Sequence, residues 1–307
     1  MDEPASAPFG RRHFVPGLGL RATDIALLSS LLFFTVLTAL FGAGFQNAGL
    51  QIVKNTAVGL VYLAAVHLHR RTSKRAFKFW IRLLSFQMMF AYVFPLVLPL
   101  QLILSKTWND PALLKLERAL FGVQPTVWIQ KFISPGLTEW LMFAYVAYLA
   151  LYPILCGILY FKRGPLHMED LVFKLAIANF VCDLGFILYP VAGPFFWIKD
   201  QFTVPLKGPI FTFVGEFVRT HFQAIGSSLP SPHCTVATVM LLTAFRYHRP
   251  TFYFISPIIL SIYVSAFYAR YHYVSDVLLG IVLGVVLFFF VPRLVEREKA
   301  QEAAVPD

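Results

Sequence analysis

Residues 269–291 read ARYHYVSDVLLGIVLGVVLFFFV. An arginine, a histidine and an aspartate stand at the mouth of a run that carries no further charge. Ionisable groups beside a lipid-soluble segment are costly unless they are paired or used. His272 and Asp276 are therefore candidates for function, and the run behind them is a candidate membrane span.

Composition extends this reading to the whole chain. Its 307 residues are 58% hydrophobic, 16% aromatic and only 14% charged, against about 25% charged in a soluble domain. Apolar stretches near 24–44, 50–68, 79–104, 138–161, 171–192, 232–247, 251–268 and 274–292 have the length that crosses a hydrocarbon core of ~30 Å. They predict an all-α, multi-pass integral membrane protein with about eight transmembrane helices. The first stretch follows a polar tail and is too long for a signal peptide. Cys156, Cys182 and Cys234 have unrelated spacings, which form neither a disulfide framework nor a metal pattern.

The net charge of +10 does not point to nucleic acid, because it follows the loops. Arg11, Arg12 and Arg21, the cluster from Arg70 to Lys78, Lys162, Arg163, Arg246, Arg249, Arg293, Arg297 and Lys299 fall in the tails and alternate short loops. Short loops rich in Lys and Arg stay cytoplasmic. The expectation is a cell-membrane protein with both termini cytoplasmic.

Two outer loops are substantial. In the first, WNDPALLKLERALFG (108–122) predicts a helix with Asp110 as N-cap, Pro111 at its first position and a stop at Gly122. Leu113, Leu116 and Leu120 would share its apolar face. PTVWIQKFIS (125–134) repeats the design. Both suit interfacial helices, read either as connectors or as a rim through which a lipid enters. The second loop, 193–231, follows YPVAGPFFW and suits a folded, partly inserted cover over a cavity.

That topology brings His233 and His272 to the extracytoplasmic face, each at the start of a span. A helix beginning at His272 would place Asp276 one turn on, along the same face. The carboxylate would fix the imidazole tautomer and leave the other ring nitrogen as nucleophile or base. In LPSPHC, Ser231 makes a good N-cap and Pro232 a good first residue, so His233 falls in the first turn, where a helix end holds phosphate. Nucleophile, orienting acid, proton donor and anion cradle are the parts of phosphoryl transfer through a phosphohistidine.

At these residues the chain resembles the type 2 phosphatidic acid phosphatase superfamily. Its members share a six-helix core, with a P-S-x-H or P-S-x-x-H segment opening the fourth core helix and a histidine four residues before aspartate opening the sixth. Here those are PSPH (230–233) and HYVSD (272–276). The resemblance implies two additional helices at 23–78, a catalytic core at 79–294, and tails at 1–22 and 295–307. HYVSDV and YPVAGP are similar to the inositol phosphorylceramide synthase and sphingomyelin synthase branch. Carried across by position, His272 is the nucleophile, Asp276 orients it, His233 protonates the leaving group and Ser231 binds phosphate oxygens. The implied reaction moves a phosphate-bearing head group, such as phosphoinositol, from a phospholipid to a lipid hydroxyl. It needs no cofactor and no metal, and its partners are lipid substrates in the membrane.

Two departures bear on this. The family's arginine six residues before the second histidine is Ala266 here, and its lysine and Arg-Pro motif has no counterpart near YPVAGPFFW. A phosphodiester carries one charge and needs fewer cations, which favours a transferase over a lipid phosphate phosphatase. Arg270, Lys199, Lys207 and Arg219 are candidates to replace the lost cations. Asp183, one turn after Asn179, is expected to make a structural polar contact, and Lys54 and Arg82, within spans, to snorkel or pair. Two other classes remain: a metal-dependent oxidase or hydrolase using His233, His272 and Asp276, and a transporter with a relay through Asp183, His233 and Asp276.

Overall fold

The computed structural model describes residues 19–42, 47–222 and 225–295. The predicted tails lie, apart from residues 19–22 and 295, outside these. Helices α1 (Ala22–Phe41), α2 (Ala48–Arg71) and α3 (Arg75–Val97) run up and down, and a short 3-10 turn extends α3 to Leu100. The loop between α3 and the next long helix folds into α4 (Asp110–Phe121) and α5 (Pro125–Trp128) with a 3-10 turn to Phe132. Two long helices follow, α6 (Pro135–Lys162) and α7 (Pro165–Leu188). The long loop after α7 holds α8 (Pro194–Trp197) and α9 (Phe211–Phe222). The chain closes with α10 (Pro232–Tyr247), α11 (Arg249–Tyr268) and α12 (Val274–Phe290). Proline opens α6, α7 and α10, where a missing N–H costs nothing.

The molecule is an all-α, multi-pass membrane protein. Six of its helices (α1, α2, α3, α6, α7 and α11) are long and apolar enough to cross a bilayer. α10, with 16 residues, coincides with its predicted stretch, and α12, with 17, ends two residues before its own. At 1.5 Å per residue they reach roughly 24–26 Å. Both begin at buried loops rather than at a water-exposed end. α10 is the central post, packed against α6, α7, α11 and α12, and nine of its residues are buried.

α7 starts six residues before the expected boundary. Its first turns carry Glu169, Asp170 and Lys174, charges that break an apolar window in the sequence. Each is paired inside the protein. Arg82 grips Glu169 with two hydrogen bonds of 2.8 Å and Asp24 with one of 2.7 Å, while Tyr62 donates to Asp24 and Arg21 to Glu169. This network joins α1, α2 and α3 to α7. Lys174 pairs with Asp170 at 2.7 Å. Arg82 thus pairs as expected, and Lys54 lies exposed on α2. Asp183 is buried and lines a cavity of about 20 Å³ with Asn179 and residues of α1 and α3; nothing from α10 or α12 lines it.

α12 meets α10 with its backbone. A methyl group on Gly280 would lie 2.6 Å from the Ser231 carbonyl oxygen, and one on Gly284 would lie 2.7 Å from that of Thr235. Small residues let membrane helices approach this closely. The Ser231 N–H also donates to the Asp276 carbonyl at 3.1 Å, fastening the start of one helix to the first turn of the other. Gly280→Val is expected to overpack this seam and destabilise the protein by roughly 1–3 kcal/mol, seen as an earlier thermal transition in detergent. An unchanged transition would contradict the close approach.

Candidate active site

α11 ends in a left-handed turn that aims the next residues at α10. The N–H groups of Tyr271 and Arg270 return to the carbonyls of Ala266 and Phe267, with Arg270 at φ +69°. Glycine is usual at such a position. The His272 N–H also donates to the Ala266 carbonyl, at 2.9 Å. Ala266 itself is fully buried against Cys234 and Val277, which leaves no room there for an arginine.

α12 begins at Val274, as the predicted stretch does, so His272 stands two residues before the helix rather than opening it. Tyr273 is its N-cap, and the Tyr273 N–H donates to Asp276 Oδ2 at 3.0 Å. A carboxylate is a good partner for a helix N-terminus, and here it draws Asp276 back toward the cap. His272 therefore sits just outside the helix, and no direct hydrogen bond joins it to Asp276: His272 Nδ1 and Asp276 Oδ2 are 3.6 Å apart. Ser228 stands between them. Its hydroxyl donates to Asp276 Oδ2 at 2.5 Å and lies 3.4 Å from His272 Nδ1, while its carbonyl oxygen is 3.1 Å from the same nitrogen. With the Nδ1 proton donated to that carbonyl, Nε2 keeps its lone pair.

Ser231 caps α10 as the sequence predicts, its hydroxyl accepting the Cys234 N–H at 3.4 Å, and it is fully buried. His233 follows at the second helical position, with its ring centroid 5.8 Å from that of His272. The two imidazoles thus face each other across the α10–α12 seam. α6 supplies the far wall. The Tyr145 hydroxyl lies 3.2 Å from His233 Nε2, and its ring stacks on His233 at 4.8 Å and on Tyr271 at 4.3 Å. His233 Nδ1 is buried without a hydrogen-bond partner, as is Asp276 Oδ1.

α4 braces the site from the loop side. Asn109, not Asp110, is its N-cap, and Asp110 is its first residue. The Asp110 carboxylate accepts hydrogen bonds from the Ala192 and Gly193 N–H groups at 2.7 and 3.0 Å, and from the Tyr273 hydroxyl at 2.9 Å. Seven residues on, Glu117 accepts from Ser275 N and Oγ at 2.8 and 2.9 Å, and from Gln124. Burial holds both carboxyls above their ordinary pKa, against the pull of these hydrogen bonds. The buried face is Asp110, Leu113 and Glu117, whereas Leu116 and Leu120, expected beside Leu113, are exposed. The two carboxylates had more to gain from buried N–H groups than the leucines from burial.

Of the candidate cations, Arg270 lays its guanidinium 4.5 Å over Phe202 and donates to the Val204 carbonyl. Arg219 lies 4.1 Å over Phe195 and pairs with Glu216. In each arginine, Nε is buried without an acceptor. Lys199 and Lys207 are exposed on the same loop. Among the described residues, no group of three His, Cys, Asp or Glu side chains is arranged to hold a metal ion, so His233, His272 and Asp276 do not form one.

A family model described as the PAP2 superfamily matches residues 111–290. The chain belongs to the PAP2 superfamily. No curated protein and no solved structure matches it. PAP2 members are phosphatases or phosphotransferases, and membership supports a lipid phosphatase or phosphotransferase type of function. The match runs from Pro111 in α4 to the end of α12 and includes both histidines, Asp276, Ser228 and Glu117, while Asp110 stands one residue before it.

Sequence reasoning passed over Ser228, Tyr145, Asp110 and Glu117. For α4 a signal was present: two acids seven apart share the face of Leu113, an arrangement that a solvated helix would not need. Ser228→Ala keeps the carbonyl that holds His272 Nδ1 and removes only the bridge to Asp276. It is expected to lower kcat roughly tenfold or more with KM little changed. An unchanged kcat on a lipid phosphate would show that the carbonyl alone orients the ring.

Proposed function

We propose that the protein is a lipid phosphotransferase of the inositol phosphorylceramide synthase type, moving a phosphate-bearing head group from a phospholipid to a lipid hydroxyl. The observation that carries this is the 5.8 Å approach of the His233 and His272 rings, with His272 Nδ1 tied back and Nε2 free. In the first half-reaction His272 Nε2 attacks phosphorus and the bond to the diacylglycerol oxygen breaks. His233 gives that oxygen its proton. In the second half, His233 takes the proton of the acceptor hydroxyl, whose oxygen attacks the phosphohistidine and frees His272. Asp276, through Ser228, stabilises the charge that develops on His272.

A phosphodiester brings one negative charge, and Ala266 stands where other family members have an arginine. Arg219 and Arg270, with their unclaimed Nε–H donors, hold that charge in this proposal, and Lys199 adds a cation at the rim. Ser231 contributes through the helix end that it caps. The distribution of lysine and arginine supports placing both termini in the cytoplasm and the histidines on the extracytoplasmic side of the cell membrane.

The test uses purified protein, a phospholipid labelled in its head group and a lipid acceptor with a free hydroxyl. Wild type is expected to transfer label to the acceptor. His272→Ala and Asp276→Asn are expected to lose at least about 10³-fold while still inserting. Retained turnover in His272→Ala would overturn the role assignment. Rapid release of free phosphate from a labelled lipid phosphate without a lipid acceptor would replace the transferase with a phosphatase.

A further inference from the structure

An open cleft of about 550 Å³ lies where the start of α6 meets the start of α9. Pro135, Gly136, Trp140 and Phe143 of α6 line one side, and Pro209 and Phe211 the other. This volume and this apolar, aromatic lining are those of a small-ligand site. One carboxylate borders it, that of Glu139. Its oxygens accept the N–H groups of Ile210, Phe211 and Thr212 and the Thr212 hydroxyl. The charge is thus committed to the N-terminus of α9 and is not offered to an occupant.

Three features identify the occupant. First, the cleft is at membrane depth: it opens on the flank of a membrane-spanning helix, and Trp140 beside it is half exposed, as tryptophan is at bilayer interfaces. Second, α9 turns Ile210, Phe213 and Phe217 outward as an exposed apolar stripe, which places this helix in contact with lipid. Third, the cleft leads to the histidines. Phe143 and Phe211 touch at its floor with ring centroids 5.0 Å apart, and Phe211 packs on the Met142, Ala269 and Tyr271 cluster that also takes in Tyr145. Tyr145 is the residue hydrogen-bonded to His233. Two layers of side chains, the Phe143–Phe211 pair and then Tyr145 with Tyr271, therefore separate the cleft from His233.

The geometry points to this cleft as the seat of a hydrocarbon chain of the lipid substrate, entered sideways from the bilayer between α6 and α9. The inference rests on the lipid phosphotransferase reading and adds to it where the chain lies. The cleft discriminates substrates by chain length, because apolar contact there grows with each buried methylene.

Gly136 supplies the test. Gly136 lines the cleft and nothing lies within 4 Å of a Cβ built on it, so a side chain at 136 starts in open space beside the cleft. A phospholipid with a photoactivatable diazirine in one acyl chain is incorporated into vesicles with the full-length protein. Labelling is then mapped by peptide in wild type and in Gly136→Phe. The expected result is strong labelling of 135–143 in wild type, reduced about fivefold or more in Gly136→Phe, with labelling of the lipid-facing Leu60 and Val61 on α2 unchanged. Labelling of 135–143 no stronger than that of α2, or equal in both proteins, would overturn the inference. In the activity arm, Gly136→Phe is expected to raise KM for a long-chain donor about tenfold and to leave a short-chain donor unaffected. A wild type inactive on every lipid phosphate would defeat the transferase reading, and the labelling result would still decide the cleft.

Discussion

The α10–α12 seam governs the site. Two imidazoles on separate rods come within 5.8 Å only because the rods touch backbone to backbone at Gly280 and Gly284. The Ser231 N–H to Asp276 carbonyl bond then sets their register along the seam. Because Ser231 caps one helix and Asp276 belongs to the first turn of the other, the contact that closes the bundle also fixes the candidate nucleophile against the candidate acid. A shift of one turn along the seam would be about 5.4 Å and would separate the rings.

Around that seam, polar groups are placed so that few are left without a partner. Asp110 and Glu117 lie on a loop helix, far from the histidines in sequence, yet each holds a backbone segment on which the site depends. Asp110 fixes the Ala192–Gly193 turn and Tyr273, and Glu117 fixes Ser275, the neighbour of Asp276. Elsewhere in the bundle, Arg82 of α3 with Asp24 of α1 and Glu169 of α7 ties three helices together. Removing one member of such a set leaves a buried charge without its partner, which typically costs about 3–5 kcal/mol. Among the buried side-chain atoms without a hydrogen-bond partner are four on residues of the proposed site, His233 Nδ1, Asp276 Oδ1 and the Nε atoms of Arg219 and Arg270; others, such as the Tyr152 and Thr243 hydroxyls, lie elsewhere along α6 and α10.

Much of this was legible in the amino-acid sequence. Hydropathy located all eight long helices, and Ser231-Pro232 announced the start of α10 because cap chemistry is local. His233, His272 and Asp276 stood out because ionisable residues at span ends need a reason. The rest depended on contacts between distant segments. Ser228 is one serine among several until the fold sets it between His272 and Asp276. Tyr145 is one aromatic in a long apolar helix. The first turns of α7 were hidden because Glu169 and Asp170 look exposed until their partners are known. The stretch 274–292 begins where α12 begins, but His272 was read as sharing that helix's face, whereas the Asp276 carboxylate bonds to the Tyr273 N–H and makes Tyr273 the cap, which leaves His272 outside the helix.

The most direct test of the central claim is to trap the intermediate. His233→Ala is given a labelled phosphodiester whose leaving group needs no proton, and the protein is quenched, digested and mapped. The account predicts label as an acid-labile, base-stable phosphoramidate on His272 Nε2. Label on another residue, or turnover of that donor with no label on His272 at any time, would contradict it.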